Sequence, residues 1–161
     1  MRSNLYDAEH ESFRASFRKF VEKEIVPHHE KWEEQGQVPR ELWKRAGAEG
    51  FLCPWMPEEF GGAGADFLYS CVIAEELARA GAHGPAFVLH SDIVVPYIFS
   101  FGNEEQKKRF LPGCVTGEVI TALGMSEPNA GSDLASIRTT AIRKDGHYVE
   151  AFRRATSFIQ Y

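Results

Sequence analysis

The sequence predicts an α+β fold, an all-helical unit of about 113 residues followed by the start of a β unit. Through Leu111 the apolar residues recur at helical spacing between capping and breaker residues. Beyond Pro112 a period of two replaces that spacing. Asp145-Gly146, set between two alternating runs, is the turn dipeptide of a β-hairpin.

Each element follows from its own residues. Phe13, Phe17, Phe20, Val21 and Ile25 share one face of a predicted helix over 7–26, which Pro27 stops. Pro39, favourable in a first turn, opens a second helix that runs to about Gly50. The stretch FLCPWMPEEFGGAGAD is rich in proline and glycine and reads as a loop. Asp66 caps a third helix over 67–80, apolar on most faces and therefore buried among others. A fourth helix spans 85–101 with a kink at Pro96, and a capping box at Asn103 and Gln106 opens a fifth that closes at Pro112-Gly113. In EVITALGM, 118–125, Val119, Thr121, Leu123 and Met125 alternate with Ile120, Ala122 and Gly124. Both sets are nearly apolar, which predicts a strand buried on both faces. IRTTAIR and HYVEAF then form the hairpin arms.

Composition narrows the function. With 43% hydrophobic residues the chain can bury a core, and a net charge of −5 gives it no overall electrostatic footprint for nucleic acid or anionic lipid. No apolar run approaches the roughly 20 residues of a membrane span. The N-terminus lacks the apolar core of a secretory signal and is too acidic for a mitochondrial presequence. Cys53, Cys71 and Cys114 are odd in number and far apart, so a reducing cytoplasm is the expected location.

Several polar features have ordinary structural readings. His28-His29 are adjacent on a helix, point to different faces and lack the partners of a metal site. GGAG at 61–64 has neither the Gly-Lys-Ser/Thr of a P-loop nor a complete GxGxxG. Glu30, Glu33 and Glu34 form a solvated helix edge. Glu75 and Glu76 lie about 100° apart on a helix, poor geometry for shared proton work, and one of them can pair with Arg79.

ALGMSEPNAGSDLAS, 122–136, is different in kind. An apolar run ends in a turn carrying the Ser126 and Ser132 hydroxyls, with Gly131 allowing close approach to the backbone and Pro128 stiffening the bend. Successive N–H groups in such a loop can cradle phosphates, and Leu123 and Met125 can wall a flat ring. The residues alone leave two readings open, an ordinary polar turn or the cradle of a ligand with an aromatic head and a diphosphate.

MSEPNAGSDLASIRTTA resembles the signature of the acyl-CoA dehydrogenase family, through Met125, Ser126, Glu127, Gly131, Ser132 and Asp133. PEEFGGAGADFLYS, AEELARAG, FGNEEQKKRFLPGCVTGEVITALGMSEP, VPHHEKWEEQGQVPRELW and LHSDIVVPY extend the resemblance over about residues 4–149, closest to the long-chain branch.

The resemblance implies an N-terminal α-helical domain over 1–113 and the beginning of a middle, β-barrel-like domain over 114–161. It implies FAD as cofactor, contacted by Leu123, Met125, Ser126, Gly131 and Ser132, with Ser132 also touching the acyl-CoA substrate. Asp133 then braces the loop, and Glu127 is a structural ion-pair or turn residue. The implied reaction is α,β-dehydrogenation of fatty acyl-CoA in β-oxidation, with an electron-transfer flavoprotein as acceptor and a homo-oligomeric, tetrameric assembly. The family's catalytic carboxylate comes from a C-terminal helical domain, so no catalytic residue is expected within this sequence. The match decays after HYV, where EAFRRATSFIQY brings Arg153 and Arg154, and Phe158 and Ile159 keep the family pattern only after a two-residue shift. These features predict a truncated chain that binds FAD weakly or not at all and is inactive alone. Two other classes fit parts of the sequence. One is a non-catalytic helical docking module, which has no need of the Ser126–Asp133 signature. The other is a fragment of a related flavin oxidase, which that signature does not separate from a dehydrogenase.

Overall fold

The computed structural model describes residues 5–151, with side chains described through His147. Arg153, Arg154, Phe158 and Ile159 lie outside the described residues. The chain divides into two compact units, 1–122 and 123–161.

The first unit is helical. α1 spans Ala8–Phe20, and the Asp7 carboxylate caps it by accepting the N–H groups of Glu9 and His10 at 2.9 and 3.0 Å. The helix continues as predicted through Ile25, but Val21–Ile25 widens into a π-helical turn in which the Val26 N–H donates to the Val21 carbonyl at 2.9 Å. α2, His29–Gln35, is a short separate helix ended by Gly36, whose φ of 65° is left-handed. α3 spans Arg40–Ala48 behind Pro39, and α4 spans Phe67–Arg79 with Asp66 accepting the Leu68 N–H at 2.8 Å. A π-helical turn at Leu89–Val94 leads into α5, Val95–Phe101, with Pro96 in the first turn. Pro96 has no N–H to offer the preceding turn, and the widened turn lies immediately upstream of it.

α6 spans Glu104–Thr116 behind the Asn103–Gln106 capping box. It runs through Pro112, where the sequence predicts a stop. The Lys108 residue one turn earlier is exposed, so water can serve the carbonyl that Pro112 leaves without a donor. The helix ends instead at Gly117, with a φ of 76°.

Two apolar clusters hold these helices together. In the larger, Phe17 and Phe20 of α1 pack on Phe51, and Leu42 and Trp43 of α3 join Ile73 and Leu77 of α4. The smaller gathers Met56, Phe60, Val95, Leu111, Cys114 and Val115. Close backbone approach locks α3 to α6: a Cβ on Gly47 would lie 2.3 Å from the Thr116 carbonyl carbon, and one on Gly117 would lie 2.2 Å from the Trp43 carbonyl oxygen.

The predicted strand over 118–125 is not formed. A strand buried on both faces needs flanking strands to take up its backbone groups, and none pairs with it among the described residues. Its first half is fastened to the helices instead. Arg40 Nη2 donates to the Glu118 carbonyl at 2.8 Å, Lys44 pairs with the Glu118 carboxylate at 3.1 Å, and the Thr121 N–H donates to His90 Nδ1 at 3.1 Å.

The second unit carries the predicted hairpin. β1, Thr140–Lys144, runs antiparallel to β2, His147–Ala151, with Ile142 opposite Val149. Asp145 and Gly146 turn the chain with φ of 49° and 82°, both left-handed as this two-residue turn demands.

Candidate functional site

The polar groups of the helical unit outside the 122–136 loop resolve into structural roles. Glu76 is 2% exposed and sits between Arg18, Arg79 and Arg14. The hydrogen bonds from Arg18, reinforced by Arg79 and Arg14, outweigh burial and hold its pKa down at about 2. Such a carboxylate is a fixed anion and not a base poised near neutrality. Glu75 pairs with Arg14 at 2.7 Å and accepts the Tyr6 hydroxyl. His29 Nε2 accepts the Gly84 N–H at 3.2 Å, and no group of side chains among the described residues could hold a metal ion. GGAG is a turn against Met56, whose carbonyl a Cβ on Gly62 would strike.

The 122–136 loop is braced from within. The Glu127 and Ala130 backbones exchange N–H···O bonds at 2.9 and 3.1 Å around Pro128-Asn129. The Glu127 carboxylate accepts the N–H groups of Arg138 and Thr139, each at 2.8 Å, and the Thr139 hydroxyl. The Thr139 hydroxyl and the Arg138 N–H lower the Glu127 pKa. Asp133 accepts the Ala135 N–H at 3.2 Å, and Ser136 Oγ donates to the carbonyls of Asn129 and Asp133. Glu127 is therefore a turn residue and Asp133 a brace.

The remaining loop groups face outward. Leu123 and Met125 are 37% and 51% exposed. Ser126 and Ser132 are exposed, and neither hydroxyl has a hydrogen-bond partner among the described residues. Gly131 has open space where a side chain would stand, and its φ is not left-handed, so neither packing nor strain among the described residues calls for glycine there. The five sequence-predicted residues lie within one short segment of the chain, where Glu127 and Asp133 are occupied and Leu123, Met125, Ser126, Gly131 and Ser132 are exposed. This fits a ligand with a flat apolar ring and oxygen-rich linker, which needs apolar contact, hydroxyls and open backbone together.

Within the helical unit, two apolar clefts share Thr121 and Ala122 in their walls. One, of about 420 Å³, is lined by Trp32, Trp43, Pro85, Leu89 and Ile120. The other, of about 530 Å³, is lined by Val94, Tyr97, Phe101, Phe110 and Val119. Beside them, the π-helical turn sets three polar side chains against four other parts of the chain. His90 meets Thr121 and Cys114, Ser91 Oγ accepts the Cys53 N–H at 3.0 Å, and Ser70 donates to Asp92 at 2.7 Å. Sequence reasoning assigns this trio no role. Its signal is the run His90-Ser91-Asp92 interrupting an otherwise apolar helix.

A family model described as "Acyl-CoA dehydrogenase, N-terminal domain" matches residues 7–118. The chain belongs to the acyl-CoA dehydrogenase family. Among acyl-CoA dehydrogenases it is 48% identical over 142 residues to the long-chain specific acyl-CoA dehydrogenase, mitochondrial, of Sus scrofa, an alignment covering 88% of this chain and 33% of that protein. A crystal structure of the acyl-CoA dehydrogenase from Geobacillus kaustophilus matches with a TM-score of 0.87 at 53% identity, over 92% of this chain and 39% of that one. The Bacillus anthracis acyl-CoA dehydrogenase complexed with FAD matches at 0.83 and 37% identity, over 93% and 26%. The chain spans about a third of the length of the curated long-chain acyl-CoA dehydrogenases it matches. No helix among the described residues is long and apolar enough to cross a membrane.

Proposed function

We propose that this chain is the loop-bearing N-terminal portion of an FAD-dependent acyl-CoA dehydrogenase that acts on fatty acyl-CoA thioesters in β-oxidation. The observation that carries this reading is the division of labour in the 123–133 loop. Glu127 and Asp133 are consumed by its own backbone, while the Ser126 and Ser132 hydroxyls, Leu123 and Met125 stay available. Leu123 and Met125 would pack on the flavin ring, Ser126 would hydrogen-bond at its edge, and Gly131 and Ser132 would face the pyrophosphate, with Ser132 also reaching the acyl-CoA. When bound, FAD supplies the acceptance of the β-hydride. The apolar clefts walled by Trp43, Leu89 and Val94 suit an acyl tail.

No residue of this chain is assigned as catalytic base. Glu76 is locked among arginines, and Glu127 is held by three donors. The base would come from the part of the relatives' length that this chain does not span, as would much of the flavin's enclosure. The proposed partners are an electron-transfer flavoprotein as acceptor and further copies of the chain in a homotetramer. The proposed location is the cytoplasm, a reducing compartment that suits three free cysteines. The two domains proposed are the helical one and the start of the β one; the limit read from the sequence, between 113 and 114, falls inside α6, which runs to Thr116, so we place it after Ala122.

The test is titration of the isotopically labelled chain with FAD, followed by amide chemical shifts. Weak, fast-exchanging shifts concentrated at Leu123–Ser132, with no flavin retained after dialysis and no bleaching by acyl-CoA, support the reading. FAD-dependent shifts that fall elsewhere on the chain and spare 123–132 sink the assignment of this loop.

A further inference from the structure

His90 is fully buried, and its ring is held on three sides. Nδ1 accepts the Thr121 N–H at 3.1 Å and lies 2.9 Å from Thr121 Oγ1. Nε2 lies 3.0 Å from the Cys114 carbonyl, which accepts only. The ring stands edge-on to Trp43 with centroids 5.2 Å apart. A backbone N–H pointing at Nδ1 and a carbonyl at Nε2 specify one species, the neutral ring protonated at Nε2. Burial lowers the pKa in the same sense, opposed by the Cys114 carbonyl.

The surroundings are uncharged. Cys114 meets the ring from α6 through its backbone carbonyl, its thiol is pushed up to about 11 by burial, and Thr121 and Trp43 carry no charge. The other titratable group of its own turn is Asp92, which is occupied by Ser70 and raised by burial. Among the described residues no charged side chain bonds to His90.

We propose that His90 is a positioning residue, a neutral latch whose Nδ1 fixes the Thr121 backbone and with it the wall shared by the two apolar clefts. The latch lies wholly within the helical unit and does not depend on the flavin-loop reading. The physical basis is that the 118–122 segment has no strand partners among the described residues. Its N–H at Thr121 would be an unmet donor beside a buried ring without this acceptor. Protonation of Nδ1 replaces the acceptor with a donor and sets two N–H groups against each other.

Two variants separate the two ring nitrogens. His90→Asn keeps an amide oxygen near the Nδ1 position and gives up the reach to Cys114. His90→Gln keeps a donor toward the Cys114 carbonyl and gives up the acceptor at Nδ1. The readout is hydrogen exchange at the Thr121 amide in the 161-residue chain without flavin, together with the imidazole nitrogen shifts of His90. The latch predicts an Nε2–H tautomer at neutral pH, Thr121 protection retained in His90→Asn, and protection lower by about tenfold in His90→Gln, the worth of one buried hydrogen bond. Equal Thr121 exchange in the two variants overturns it. If neither variant folds, the wild-type chain decides. Thr121 protection must fall in step with the appearance of the imidazolium signal on acidification, and protection that ignores that signal, or a Nδ1–H tautomer at neutral pH, overturns the latch. A failed FAD titration leaves every one of these outcomes readable.

Discussion

Arg18 grips Glu76 with two parallel hydrogen bonds, Nε to Oε2 and Nη2 to Oε1, each 2.8 Å, and so ties α1 to α4 across 58 residues of sequence. Arg79 adds a bond to Oε2 at 2.8 Å from one turn along α4, and Arg14 approaches Oε1 at 3.3 Å. A fully buried carboxylate with these three partners has its desolvation offset only while all of them are present.

Glu76→Gln leaves that guanidinium cluster facing a neutral amide. It should destabilise the helical unit by about 3 kcal/mol, the scale for breaking a buried pair from one side. Glu75→Gln, at a half-exposed pair, should cost less than about 1 kcal/mol. Urea unfolding of both variants measures the difference, and equal midpoints would show that burial of Glu76 carries no energetic weight.

The pH dependence contains two histidines of opposite sign. His10 is buried and resists charging, but its bonds to Asp66 at 3.2 Å and Asp7 at 2.7 Å overcome this and raise its pKa above 6.5. Its stabilisation is complete below 6.5 and is lost as the pH rises through the raised value. His90 has a lowered pKa, so the unfolded chain binds more protons just below 6.5 and stability falls on acidification through that window. The stability of the wild type relative to His10→Asn should therefore decline as pH increases above 6.5. Glu76 adds a separate acid loss, beginning near its ordinary 4.5 and complete below about 2. A difference curve that is flat from pH 6 to pH 9 would refute the role given to His10.

Glycines should divide by what surrounds them. Gly117→Ala forces a Cβ against the Trp43 carbonyl at a left-handed φ of 76° and should cost about 3 kcal/mol. Gly47→Ala gains helix propensity but strikes Thr116, and should still lose about 1–2 kcal/mol. Gly131→Ala meets nothing and should stay within about 0.5 kcal/mol of the wild type. Thermal or urea midpoints check all three. A large loss at Gly131 would mean that its glycine serves the fold and not a ligand.

Glu127→Ala removes the acceptor for two backbone N–H groups and one hydroxyl. The Arg138 and Thr139 amides should then exchange about tenfold faster while the helical core keeps its protection. Unchanged exchange at both amides would contradict the bracing role.

The sequence alone determined the succession of helices and the hairpin, and it singled out the loop. These rest on local signals: Asp7, Asp66 and Asn103 as caps, the Phe13–Phe17–Phe20 face, Asp145-Gly146 as turn, and the Ser126–Asp133 spacing. Each acts within a few residues, so the chain order suffices to read it. Tertiary structure decided what depends on distant partners. Pro112 stays inside α6 and Gly117 ends it, where the chain turns against Trp43. The first half of the 118–125 run, apolar enough for a strand, is instead fastened to α3 and to His90 through Glu118 and Thr121, because a strand exists only where another strand meets its N–H and C=O groups. His90 itself shows no role in the linear sequence, since Cys114 and Thr121 lie 24 and 31 residues away and meet it only once the helices have packed.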